Sequence, residues 1–196
     1  MSEKGNDMRV ISGLLKGAKL HTLSSFDIRP TTDRVKEGIF SSVQFQLQNA
    51  NVLDLFAGSG QLGIEALSRG AAHCVFVDSD PKAIEVIKRN ISNLKLHDKS
   101  TVILSDVFAY LKKETQKFDI IFADPPYKKK ILNKTLKALE GKLSPNSVVL
   151  CEHEKDSEKI YEKISNLSLY KIYKYGKIEI VKYTHTADGG VCIRKT

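Results

Sequence analysis

From residue 51 the chain settles into a rhythm that few folds accept. Short apolar runs at 52–55, 74–77, 101–104, 118–122 and 147–151 predict strands. Between them, stretches at 60–68, 81–94, 108–112 and 131–143 predict helices, with Pro81 in a first turn and a stop near Gly70. Strands that alternate with helices pair in parallel through right-handed crossovers, which makes a doubly wound α/β sheet of Rossmann-like form.

The two ends depart from this alternation. Residues 8–23, punctuated by Gly13 and Gly17, read as a small β-hairpin. A loop through Arg29-Pro30 leads to Thr31-Thr32-Asp33, which supply capping side chains. Beyond them Glu37 and the apolar Val35, Ile39, Phe40 and Val43 define an amphipathic helix of about three turns. The expected organisation is an N-terminal extension over 1–30 and a main domain over 31–196. Near the C-terminus, 157–165 reads as helical. Residues 170–175 and 177–183 then alternate around Gly176, as an antiparallel hairpin on the sheet does.

Composition narrows the class. A chain of 196 residues with 41% hydrophobic and 28% charged residues is an ordinary globular domain. No apolar stretch approaches the roughly 18–20 residues of a membrane span, and the first seven residues lack the apolar centre of a secretory signal. The reading is a cytoplasmic monomer. Cys74, Cys151 and Cys192 are odd in number and widely spaced, so they read as small buried hydrophobes rather than disulfide partners; no histidine stands at metal-ligand spacing, and no metal is expected. The net charge of +8 favours a polyanionic partner.

Two motifs carry the chemistry. The run 118–123 leads into Asp124-Pro125-Pro126-Tyr127. Successive prolines lack N–H donors and fix φ, so the chain must leave the sheet as a stiff extended segment. That segment presents a carboxylate, a free carbonyl and an aromatic face: two acceptors and a stacking surface for a planar base with an exocyclic amine. Seventy residues upstream lies Asp54-Leu55-Phe56-Ala57-Gly58-Ser59-Gly60, a glycine-rich strand-to-helix turn over which a ligand can lie close to backbone. Its spacing through Gly63 also fits a nicotinamide enzyme. Asp54 argues against one, because a strand-end acid suits a cationic group, such as the α-ammonium of methionine, better than a pyrophosphate.

Asp78, followed by Ser79, ends the next strand where ribose hydroxyls would lie. Asp106, followed by Val107, ends the third, placed for an adenine amine. Each acid could instead cap a helix, although Asp80 before Pro81 is the better cap there. Together the motifs point to methyl transfer from S-adenosylmethionine to a nucleobase amine.

On these residues the chain resembles the class I S-adenosylmethionine-dependent methyltransferases. More narrowly, it resembles the bacterial family that methylates guanine N2 in small-subunit (16S) ribosomal RNA. The likeness lies in Arg9-Val10-Ile11-Ser12-Gly13, Gly17-Ala18-Lys19-Leu20, the segment from Arg29 to Glu37, residues 53–70, and Asp124 to Tyr127. It implies a seven-stranded sheet with a reversed last strand, an N-terminal hairpin that contacts RNA, and an assembled or partly assembled subunit as substrate.

Within that reading Asp124 and Pro125 accept the amine hydrogens, Pro126 stiffens the loop and Tyr127 stacks on the base. Arg9, Lys16, Lys19, Arg29, Arg34, Lys128, Lys129 and Lys130 are candidates for phosphate contacts, while Thr31, Thr32, Arg34 and Glu37 could alternatively cover the cofactor. An adenine-N6 DNA methyltransferase shares the Asp-Pro-Pro-Tyr form but more often carries asparagine first. A non-catalytic RNA-binding module would use only the basic faces.

Overall fold

The computed structural model describes residues 8–23, 33–126 and 130–185. Its centre is one mixed sheet in the order β3-β2-β1-β4-β5-β8-β7-β6. Strands β1 (Asn51–Leu55), β2 (His73–Asp78), β3 (Ser100–Leu104), β4 (Phe118–Ala123) and β5 (Leu143–Glu154) run parallel. β8 (Ile178–His185) lies antiparallel to β5, and β7 (Leu167–Tyr175) and β6 (Lys163–Ile164) continue the sheet in alternating direction. The chain therefore reverses where the expectation placed a reversal, but the sheet has eight strands rather than seven.

The extra strand lies inside 157–165, which the sequence reading made helical. Tertiary bonds win there. The Glu158 carboxylate accepts the N–H groups of Leu132 and Asn133 at the start of α5 (Leu132–Ala138), and the Tyr161 carbonyl accepts from the Tyr183 hydroxyl. Ile164 buries against the sheet and pairs with Leu167 across a turn at Ser165, whose φ is 53°. These bonds hold the segment away from helical geometry. The helix expected over 131–143 is likewise cut to α5, because Gly141 turns at φ 77° and β5 begins at Leu143.

One sheet face carries α1 (Asp33–Ser41), α2 (Gln61–Ser68) and α3 (Pro81–Asn93); the other carries α4 (Val107–Lys113) and α5. Alternation along each strand feeds both cores: Ile120 and Phe122 face the first, Ile121 and Ala123 the second. Phe40 of α1 packs on Phe122 with ring centroids 5.5 Å apart. Cys74 and Cys151 are free thiols buried in these layers, as expected; Cys192 lies outside the described residues.

Residues 8–23 fold back on themselves with one bridge pair, Arg9 and Lys19, rather than two full strands. They lie along α2, and Val10 and Leu20 enter the same core as the sheet. Their backbone is satisfied by buried side chains of the main domain. The Glu65 carboxylate, 1% exposed, accepts the Ile11 and Ser12 N–H groups at 2.8 and 3.0 Å and also pairs with Arg69 at 2.7 Å. Ser68 accepts from Leu14 and Leu15, and Lys36, 1% exposed, donates to the Arg9 carbonyl. The hairpin is thus held against α1 and α2 by bonds that cannot be traded for water without unfolding it.

Candidate active site

Strand β1 ends at Leu55, and the chain then turns through three left-handed residues: Phe56 at φ 59°, Gly58 at 56° and Gly60 at 77°. Among the described residues, none beyond its two chain neighbours comes within 4 Å of the point where a Cβ on Gly58 would stand, so the loop faces open space there. Gly63 has the opposite role. A Cβ there would lie 2.2 Å from Phe76, so its absence lets α2 sit close on β2. Asn90 fixes the loop from behind: its amide donates to the Ser59 carbonyl and to the His21 carbonyl, and its oxygen accepts from His21 N–H. One side chain of α3 thereby ties the glycine loop to the end of the N-terminal segment.

Three acids stand at this edge, and their surroundings differ. Asp54 is 2% exposed and accepts the Gly63 N–H at 2.9 Å; no basic side chain pairs with it among the described residues. Burial pushes its carboxyl up to about 8, against the lowering effect of the Gly63 N–H and with a further rise from Asp78. Asp78 bridges two turns: one oxygen accepts from Gly58 N–H and the other from Asp80 N–H. Asp80 caps α3 through Lys82 N–H, and Ser79 lies between them. Asp106 uses one oxygen to cap α4 at Phe108 and Ala109, with buried Val107 as the first helical residue. Capping is therefore its visible role, and the second oxygen has no bond among the described residues.

Asp124 follows β4 directly and lies half-buried beside β1. Burial, then the carboxylates of Glu152 and Asp54, push its carboxyl well above the ordinary range. Pro125 is buried and Pro126 exposed; both line a small cleft with Ile131, Leu132, Glu152, His153, Ser157 and Glu158. Tyr127, Lys128, Lys129, Arg29, Thr31 and Thr32 lie outside the described residues. Of the remaining basic candidates, Arg9, Lys16, Lys19, Arg34 and Lys130 are all exposed, and Arg9 pairs with Asp33 at 3.6 Å. Lys16 sits at the hairpin tip near the C-terminal end of α2, away from the acidic edge.

Sequence reasoning missed Glu152, Asn90 and Lys36. Glu152 and Asn90 gave no signal, because their neighbours come from distant strands and loops. Lys36 did give one: it lies four and seven residues before Phe40 and Val43, on the apolar stripe of α1.

A parallel sheet, a glycine turn after its first strand, acids at successive strand ends and reversed terminal strands define the Rossmann-like methyltransferase fold. A solved Escherichia coli chain, yhhF, shares it with a TM-score of 0.82 at 30% identity, covering 92% of this chain and 99% of that one. The family described as Conserved hypothetical protein 95 matches residues 8–184, and this chain belongs to it. Its relatives include YlbH of Bacillus subtilis (strain 168), 41% identical over 182 residues, or 90% of this chain and 98% of the relative. Another is the ribosomal RNA small subunit methyltransferase D of Buchnera aphidicola subsp. Acyrthosiphon pisum (strain APS), 38% identical over 171 residues, 86% of this chain and 88% of that protein.

Proposed function

We propose that this protein transfers a methyl group from S-adenosylmethionine to the exocyclic N2 amine of a guanine in small-subunit ribosomal RNA. The observation that carries the reading is the placement of Asp124 and Pro125 beside a glycine loop whose buried acid, Asp54, has no cationic partner of its own among the described residues. A relative with the name ribosomal RNA small subunit methyltransferase D supports the same class of acceptor.

The cradle fits the donor. Open space lies before Gly58, and the Asp54 carboxyl suits an α-ammonium, whose charge would drive off the proton that burial retains. Asp78 keeps the turn closed and faces the position of a ribose, while Asp106 retains one oxygen for an adenine amine. When bound, S-adenosylmethionine supplies an electrophilic methyl on a sulfonium centre.

The guanine amine is a weak nucleophile because its lone pair is delocalised into the ring. Asp124 and the Pro125 carbonyl each accept one amine hydrogen, which favours pyramidalisation and aims the lone pair across the loop. In its ionised form Asp124 can also take the proton released after transfer. Tyr127 stacks on the base, a contact worth about 1–3 kcal/mol. The base must leave its own stack to arrive there, from a loop or by flipping.

Asp124→Ala tests the assignment. It should abolish methyl transfer to small-subunit RNA while S-adenosylhomocysteine still raises the melting temperature. Turnover near that of the parent would remove Asp124 from the chemistry.

A further inference from the structure

Strand β7 does not alternate cleanly. Leu169 pairs with Tyr183 and Lys171 with Lys182, so Tyr170 is an extra residue and the ladder bulges there. The bulge re-aims Tyr170. The Lys182 ammonium lies 5.1 Å from the Tyr170 ring, and the Lys171 ammonium 5.3 Å from the Tyr173 ring. Tyr170 and Lys171 both oppose Lys182, and Tyr173 opposes Ile180, so all three share one face of the sheet. Lys182 is 6% exposed with its ammonium bonded to the Ser42 carbonyl, which fixes the floor of this patch against the end of α1. Tyr170 is 40% exposed and Lys171 is open to solvent.

The position of the patch matters as much as its make-up. Asp124 follows Ala123, which pairs with Cys151; the next row across the sheet is Glu152, Ile180 and Tyr173. Glu152 lies two residues after Leu150 on the α1-side face of β5, the face of Ile180 and Phe122 and therefore of Asp124. Tyr173 thus stands level with Asp124, three strand spacings away, or about 14 Å. Glu152 and Ile180 between them are buried, so RNA leaving the catalytic loop crosses outside that row before it meets the rings and the exposed Lys171 ammonium. Rings stack on bases without regard to sequence, and ammonium groups take phosphates.

We propose that the bulged face of β7, formed by Tyr170, Lys171 and Tyr173, is a contact platform for single-stranded RNA flanking the target guanine. The inference rests on the reading of the preceding subsection for the identity of the target. It adds a surface, on the C-terminal strands, that the N-terminal basic residues and the catalytic loop do not supply.

The test uses the full chain as Tyr170→Ala, Tyr170→Phe, Lys171→Ala and the Tyr170→Ala/Lys171→Ala double variant, with naked small-subunit rRNA and small subunits as ligands. RNA affinity is measured against KCl concentration without turnover, beside kcat, KM for RNA and the melting shift given by S-adenosylhomocysteine. Tyr170→Ala should weaken RNA binding and raise KM roughly tenfold, and Tyr170→Phe should restore both. Lys171→Ala should flatten the salt slope by about 0.7. kcat and the melting shift should stay at parental values in all four.

Parental affinity and salt slope in the double variant would overturn the platform. So would a loss seen on subunits but not on naked rRNA with the slope unchanged, which would assign the patch to a ribosomal protein. Absence of methyl transfer by the parent would instead sink the reading of the target, and the turnover-free affinities would still decide the platform.

Discussion

Asp54→Asn separates what the fold tolerates from what the ligand needs. Asp54 is buried without a cation, and its carboxyl titrates near 8 rather than near 3.8. Between those values the folded chain holds a proton that the unfolded chain has released. Stability therefore falls as pH rises through this window and levels off above about 8. Asparagine keeps an oxygen for the Gly63 N–H and has no proton to lose.

The variant should gain on the parent by about 1.4 kcal/mol per pH unit inside the window. That amounts to about 4 kcal/mol between pH 5 and pH 8, or a melting difference on the order of 10 °C. Asp124 is also raised, but it is present in both proteins and largely cancels from the difference. The assay is thermal unfolding of both proteins without ligand across pH 5–9, repeated with S-adenosylhomocysteine. The ligand should stabilise the parent increasingly as pH rises toward 8, and the variant little at any pH. A parent–variant gap that stays constant from pH 5 to pH 8 would refute the reasoning.

Three further substitutions probe the scaffold. Glu65→Ala leaves the buried Ile11 and Ser12 N–H groups without an acceptor and should cost about 2–5 kcal/mol, read by denaturant unfolding, with faster amide exchange at both residues. Gly63→Ala drives a methyl into Phe76 and should cost about 1–3 kcal/mol or more in melting experiments. Asn90→Ala frees both the glycine loop and residue 21; calorimetric titration should show S-adenosylhomocysteine binding at least severalfold weaker, with a stability loss of about 1–3 kcal/mol.

Much of this molecule was legible because its signals are local. The parallel core could be read from apolar runs at 52–55 and 118–122, and the start of α3 from Asp80 and Pro81, since each depends on neighbours in sequence. The loop from Asp54 to Gly60 was legible for the same reason: glycines at Gly58 and Gly60 occupy left-handed backbone. Failures came where distant groups decide. Residues 157–165 carry a helical pattern, but Glu158 is drawn to α5 and Ile164 to the sheet edge. Strand-end position alone does not separate the ligand contact expected of Asp106 from the cap that one of its oxygens makes at Phe108 and Ala109. Glu152 reaches Asp124 only through the β4–β5 pairing, a contact between segments about thirty residues apart that no spacing rule reveals.

The central claim is tested most directly by transfer of labelled methyl from S-adenosylmethionine, with small subunits from cells lacking this protein, naked rRNA and duplex DNA as parallel acceptors. The label is then located by nucleoside digestion. N2-methylguanosine in the subunit or rRNA samples is the expected result, and the sample that carries it identifies the assembly state used. Label recovered as N6-methyladenine in DNA, with none in RNA, would contradict the account.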